Sequence, residues 1–571
     1  MRIVRPLAPL LLLALASSVP AATSPEATCA RASGDAAARC LADYTAAVER
    51  CRKTADAACE QGVRAANGLI AKALGAPADP VRTACSDDVA EALGYLSQAD
   101  AIARAPESCS DFAEDFLTIG YAKDLATLST RAMRCQRHVT GVLRRLRGAV
   151  IARLGPGCFE KEIAGRTCRH AARDRAVARA RQAARKAIVA GCHADFDALG
   201  LSTATPTTAG VDDLIEREVT RARHFAERSY PANELGPTAV YGPYQIGVRT
   251  LALEDASRTD VGSTDPRPVT VEVYYPSTDA ATAGVPKDVI KVLGLDIVAS
   301  PAYRDVALAA GPFPLVLFSH GNGGIRFQSF FFAAHLASHG YVVVCPDHRG
   351  NTFVDIGAGI VDPDVAKNRP LDLSFLIDQF LAFNTTSGDP FAGAIDPERI
   401  GVSGHSFGGY TAFAIAGGTF AVGTFTDPRV KAILPQAPAA PFPDAFFDAI
   451  HIPTLILGGS IDVTTPFAEN QQRPFDLLPS GAAVVGLGEL ADAGHFTFSD
   501  FCEVPRTLLS FLGGFDEACE PRHIAWRWAH RIVNYLSLNF FDATLSGDVD
   551  AAARLTPAAL ATVDELTYQS K

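Results

Sequence analysis

A serine bracketed by glycines, Gly404-His405-Ser406-Phe407-Gly408-Gly409, follows directly on the apolar run Ile400-Gly401-Val402 and leads straight into the helix-forming run Tyr410 to Ile415. G-x-S-x-G by itself is a short pattern that long chains contain by chance; the strand before it and the helix after it carry the inference. A strand, a sharp turn and a helix in immediate succession strain the serine backbone and leave no room for a Cβ two residues either side. The feature therefore calls for a sheet whose strand ends feed into helices, with the Ser406 hydroxyl standing out at one of those ends.

The region after Pro237 fits that demand, because strand-length apolar runs alternate there with helical segments, the pattern of a largely parallel sheet. Strands are expected at Tyr244 to Leu253, Val269 to Tyr275, Leu315 to Ser319, Tyr341 to Cys345, Ile400 to Ser403, Val430 to Leu434, Thr454 to Leu457 and Ala482 to Leu487. Helices are expected at Gln328 to His339, Leu371 to Phe383, Tyr410 to Ala416 and Val504 to Leu512. Eight strands in this order is the count of the α/β-hydrolase fold. The loop between the first two is too short for a crossover helix, so they should pair antiparallel.

A serine hydroxyl is a weak nucleophile at its free pKa, so a base must lie within hydrogen-bond reach, and in this fold the base comes late in the chain. Among 13 histidines, His495 in Asp492-Ala493-Gly494-His495-Phe496 meets this, just past the last expected strand. The acid that orients the imidazole should fall between the two, which favours Asp462, in Gly458-Gly459-Ser460-Ile461-Asp462, with Asp444 as the rival. The oxyanion formed on attack needs two amide donors. Phe407, next to the nucleophile, supplies one, and Asn322 N–H, in Ser319-His320-Gly321-Asn322-Gly323-Gly324, is the expected second. His320 and His405 flank glycine turns and read as structural. His335 and His339, four apart on a helix, have the spacing of two metal ligands but no evident third, so no metal and no cofactor are expected.

The chain begins Met1-Arg2-Ile3-Val4-Arg5, continues in an apolar run from Leu10 to Ala16 and reaches the small residues of Val19-Pro20-Ala21, which is the plan of a cleavable secretory signal covering residues 1–22. Its apolar run is too short to span a bilayer, and no later stretch is long enough, so no transmembrane segment is expected. Export to the periplasm or medium is oxidising, and the 13 cysteines read first as disulfides. Ten lie between Cys29 and Cys192 without a C-x-x-C pair, in an Ala- and Arg-rich stretch of helical periodicity. Residues 23–201 are thus expected to form an all-α, disulfide-stapled domain of undetermined connectivity. Residues 202–237 are expected to be a linker, with a short helix from Asp212 to Glu227, before a hydrolase domain over 238–571. Cys345 ends an apolar run and reads as a buried thiol, leaving Cys502 and Cys519 to pair. The net charge of −11, with the region after Glu227 strongly acidic, argues against a nucleic-acid partner. Arginines concentrated between Arg131 and Lys186 suit either an anionic surface or partner of the helical domain or a plain solvated face.

Over about Tyr244 to Leu538 the chain resembles the bacterial relatives of platelet-activating factor acetylhydrolase, a dienelactone-hydrolase-like group. The resemblance is carried by Tyr244-Gln245-Ile246-Gly247-Val248-Arg249, Phe318-Ser319-His320-Gly321-Asn322-Gly323, Asp347-His348-Arg349-Gly350-Asn351, Arg369-Pro370-Leu371-Asp372 and Ile395-Asp396-Pro397. It implies hydrolysis of short acyl esters without a cofactor. Dienelactone hydrolases use a cysteine where this chain has Ser406. The acetylhydrolases place their acid directly after the sixth strand, where this chain reads Leu434-Pro435-Gln436-Ala437-Pro438, without a carboxylate.

These readings converge on an exported serine hydrolase that cleaves short-chain esters of small or lipid-like molecules through an acyl-enzyme. Between the sixth and seventh strands only Ala437 to Ile452 is available, too little for a helical cap, and Phe407, Phe442 and Phe446 are the expected lining of a shallow acyl pocket. The alternative from another class is a secreted binding or adhesion protein whose helical domain carries the function.

Overall fold

The computed structural model describes residues 25–53, 78–93, 95, 98–120, 128–159, 161, 168–192, 199, 209–230, 235, 237–420, 423–479, 484–504 and 517–571. The expected signal segment, residues 202–208 of the expected linker, and all but the first residue of the helix expected from Val504 to Leu512 lie outside them.

The N-terminal part is helical: α1 (Pro25–Lys53), α2 (Gln98–Gly120), α3 (Thr130–Leu154), α4 (His170–Cys192) and α5 (Ala209–Ser229). Helix α3 shows why. Ser129 caps it by accepting a hydrogen bond from Ala132 N, and its buried positions Cys135, Val139, Val142, Leu146 and Val150 recur every three or four residues. Disulfides tie α1 to α2 (Cys40–Cys109), α3 to α4 (Cys135–Cys192), and Cys29 to Cys85; Cys158 joins Cys168, and Cys51 is also disulfide-bonded. Helix α5 lies where a linker with a short helix was expected. It is longer than that helix and buries Val211, Leu214, Ile215, Val219, Ala222 and Phe225, so its apolar face belongs to the core.

Among the described residues the sheet has eleven strands rather than the expected eight. They are β1 (Gln245–Thr259), β2 (Pro266–Ser277), β3 (Lys287–Val292), β4 (Leu295–Arg304), β5 (Phe313–Ser319), β6 (Val342–Pro346), β7 (Ile395–His405), β8 (Val430–Gln436), β9 (Thr454–Gly459), β10 (Val485–Leu490) and β11 (Leu566–Ser570). Their spatial order is β11-β10-β9-β8-β7-β5-β6-β2-β1-β4-β3, with a parallel block from β6 to β10. β1 and β2 pair antiparallel. The three additional strands sit at the sheet's two edges: the hairpin β3–β4 exposes Leu293 and Leu295 at its tip, and β11 closes against β10. Edge strands covered on one face only carry no continuous apolar run, which is why sequence patterning passes over them.

Central strands alternate strictly between two cores. Val316, Phe318, Val343 and Cys345 face α6 (Phe330–Ser338) and α9 (Trp526–Leu545), whereas Leu315, Leu317, Val342 and Val344 face α7 (Val365–Thr385) and α8 (Phe407–Ala416). With both faces covered, the carboxyl ends of β5, β7, β9 and β10 and the turns that follow them meet at one end of the sheet.

Candidate functional site

Ser406 sits between β7 and α8 with φ 57° and ψ −116°, a left-handed conformation that a non-glycine residue adopts only under constraint. The constraint is packing. A Cβ at Gly404 would lie 2.3 Å from Gly408 O, and one at Gly408 would lie 1.8 Å from Ser319 O, so neither position admits any side chain. Ser406 N donates to Gln436 O on β8 at 2.9 Å, fixing the turn to the neighbouring strand.

The Ser406 hydroxyl donates to His495 Nε2 at 2.9 Å, and His495 Nδ1 donates to Asp462 Oδ2 at 2.8 Å. Asp462 follows β9 and receives hydrogen bonds from Thr464 N (2.8 Å), Thr465 N (2.7 Å) and Thr465 Oγ1 (2.8 Å). Burial would raise its carboxyl, but the bonds from His495 and Thr465 outweigh this and hold it below its ordinary range. Asp444, the rival acid, lies on a surface turn, 71% exposed in its side chain and paired with Arg473. The structure does not bring it to His495.

The histidine is held from behind. His405 Nε2 donates to His495 O at 3.0 Å, and Gln328 Nε2 donates to His405 Nδ1 at 2.8 Å. Burial pushes the His405 imidazole down to about 3, so it is neutral, as this pair of bonds requires. Gln328 Oε1 accepts from Gly321 N at 3.0 Å and thereby links the histidine loop to the turn that holds Asn322. That turn lies against the serine: a Cβ on Gly321 would be 3.4 Å from Ser406 Cβ. Sequence reasoning missed Gln328 and Thr465, since neither residue type signals an orienting role.

Phe407 stacks on Tyr410 (centroids 5.4 Å apart) and Tyr410 packs on Phe442 (5.1 Å). Phe446 lies beneath Phe442 (4.3 Å) and is only 1% exposed. It touches the rings of Tyr410, Phe442 and Phe447, so it backs Phe442 from the core side. Cys502 and Cys519 are joined in a disulfide beside the histidine loop, and Cys345 is a free, buried thiol. Among the described residues no group of three or more metal-ligating side chains could hold an ion, and no helix is long and apolar enough to cross a membrane.

Residues 233–356 match the family described as platelet-activating factor acetylhydrolase, isoform II, and residues 322–508 match the family described as PET hydrolase-like. Both matches lie in the C-terminal part and support an α/β-hydrolase family related to platelet-activating factor acetylhydrolase for that part. The helical part lies outside both matches. Similar proteins include cutinase est1 of Thermobifida alba, 29% identical over 181 residues, which cover 32% of this chain and 53% of that protein. Cutinase 2 of Thermobifida cellulosilytica is 28% identical over 181 residues, 32% of this chain and 60% of that protein. The bis(hydroxyethyl) terephthalate hydrolase of Streptomyces coelicolor is 29% identical over 195 residues, 34% of this chain and 54% of that protein. The chain thus spans about half the length of the curated relatives it matches. The position after β8 carries Ala437, whose carbonyl lies 3.1 Å from Thr465 Oγ1, beside the network around Asp462.

Proposed function

We propose that the chain is an exported serine hydrolase of short-chain carboxylic esters, with Ser406 as nucleophile, His495 as general base and Asp462 as the orienting acid. The observation that carries this reading is the unbroken chain from Ser406 Oγ through His495 to Asp462, on a serine in the left-handed conformation at the carboxyl end of a parallel strand. The hydroxyl attacks the ester carbonyl as His495 takes its proton. The amides of Asn322 and Phe407 receive the oxyanion; the alkoxide leaves with the proton from His495, and water, activated by the same base, releases the acid. The cutinase and terephthalate-ester hydrolase relatives support ester chemistry.

The preference for short acyl groups rests on the segment between β8 and β9, whose helical content is the single turn Asp444–Phe446. Without a cap there, a long chain gains little burial to spend on the transition state. Phe407 and Phe442 supply a shallow apolar wall. The disulfides and the signal-like N-terminus support an extracellular or periplasmic place of action.

Labelling by a fluorophosphonate probe tests the nucleophile: the wild type should react and hydrolyse p-nitrophenyl butyrate, and Ser406→Ala should do neither at an unchanged melting temperature. An unreactive wild type would point instead to a binding protein. Along p-nitrophenyl esters of two to sixteen carbons kcat/KM should peak at two to four, and a maximum at twelve or more would refute the open-site argument.

A further inference from the structure

Beneath the turn that carries Asn322 lies Arg369, on α7 and fully buried. Its Nη1 donates to His320 O (2.8 Å) and its Nη2 to Gly321 O (3.2 Å) and also to His320 O. Its Nε donates to Asn351 Oδ1 (3.3 Å), and Asn351 Nδ2 donates to Asn322 Oδ1 (2.8 Å). The face of the guanidinium covers the ring of Phe407, its central carbon 4.8 Å from the centroid.

Such a cation needs a counter-charge, and a second Ser-His-Asp series supplies it. Arg369 Nη1 donates to Ser319 Oγ (3.3 Å), Ser319 Oγ donates to His348 Nε2 (2.9 Å), and His348 Nδ1 donates to Asp372 Oδ2 (2.9 Å). These three have the bonding order of Ser406, His495 and Asp462, but each is fully buried, so no substrate reaches Ser319. The series tethers a carboxylate to the back of the turn.

In a trans peptide the carbonyl and the following N–H point in opposite directions. With Gly321 O held by Arg369 together with His320 Nδ1 (2.7 Å) and Gly324 N (3.0 Å), Asn322 N–H must point away from that side, and the Gly321 position abuts Ser406. From this we infer that Arg369 is a positioning residue, which aims the Asn322 amide at the developing oxyanion and braces Phe407, the source of the second amide. The inference rests on the proposed assignment of Ser406 as nucleophile. A purely stabilising arginine has no reason to bond to the carbonyls leading into one oxyanion donor and to cover the ring of the other.

The test compares Arg369→Met and Arg369→Lys with wild type on p-nitrophenyl butyrate. In Arg369→Met kcat should fall on the order of 10²-fold, the cost of losing one oxyanion donor, with KM within about twofold. Arg369→Lys, a point donor that cannot serve two carbonyls and a ring face at once, should fall less. The acid limb of the kcat/KM profile should not move, because the base and its carboxylate are untouched, and millimolar guanidinium should restore part of the kcat of Arg369→Met. The inference is overturned by a folded Arg369→Met with wild-type kcat, by a loss confined to KM, by a shifted acid limb, or by loss of cooperative melting in both variants, which would assign the arginine to the fold alone. Failure of the underlying assignment would show separately, as activity surviving in Ser406→Ala.

Discussion

Asp462 and Asp372 are both buried carboxylates bonded to a histidine that is bonded to a serine, and their surroundings separate them. Asp462 serves a half-buried serine held in a strained turn, so its loss should be read in turnover. Asp462→Asn should lower kcat by about 10⁴-fold, as loss of the orienting carboxylate does in the triad template, while Asp444→Asn should leave kcat unchanged; a dead Asp444→Asn would reverse the assignment. Asp372 bonds to Arg267 as well as His348, and its loss should be read in stability. Burial raises its carboxyl, but His348 and Arg267 outweigh burial and depress it, so its contribution is fully present above the unfolded value near 4 and is lost only as pH falls through the lower folded value. Asp372→Asn should cost about 3 kcal/mol at neutral pH, the low end for breaking a buried pair, because Arg258 and Arg267 lose its charge while Arg267 keeps Asp362 (3.1 Å). The difference in melting temperature from wild type should narrow below about pH 4, and a constant gap from pH 7 to 3 would contradict the linkage. Ser406, His495 and Asp462, the proposed triad, were candidates in sequence because fold and chemistry fix their chain order. Gln328 and Arg369 were not, since bracing a turn demands no particular position in the chain.

The segment from His495 to Val504 shows how elements hold the site. Asp500 N donates to Gln328 O (2.8 Å), Asp500 Oδ2 accepts from Phe331 N at the start of α6 (2.9 Å), and Ser329 Oγ donates to Phe498 O (2.9 Å). The Cys502–Cys519 disulfide, with a sequence separation of 17, adds a covalent clamp. In the chain-entropy account a loop of that length contributes about 3 kcal/mol. Replacing both cysteines by Ala should lower the melting temperature accordingly and reduce kcat less than tenfold, since the bonds to α6 remain; an undiminished melting temperature would refute the clamp. At this scale the central strands were legible because burial on both faces writes continuous apolar runs, as in Val342–Val344. The hairpin β3–β4 and β11 write none.

At the scale of the whole molecule the helical part is built onto the α/β part rather than strung beside it. One cluster of buried apolar residues runs from Val142 and Leu146 of α3 through Phe225 and Tyr230 to Trp528 and Ile532 of α9. Polar contacts follow the same seam: Arg173 pairs with Asp564 (2.5 Å), Arg223 with Glu565 (3.2 Å), and Arg531 donates to Leu93 O. His224 on α5 bonds to Pro521 O (2.9 Å) and faces Asp492 (3.3 Å), three residues before His495, so α5 rests against the histidine loop itself. These ion pairs are half-buried, and most of the stabilisation of the seam comes from the shared apolar surface. Hence a chain of residues 238–571 alone, although it holds every residue of the proposed triad, should expose the faces of α9 and the histidine loop that α5 covers. The expected result is a lower melting temperature than the full chain, together with a loss of kcat that exceeds any change in KM, because the histidine loop rather than the ester pocket loses its support. Equal stability and equal kcat in the two proteins would show that the helical part is an independent attachment, and the core at the seam would then contribute nothing to the site.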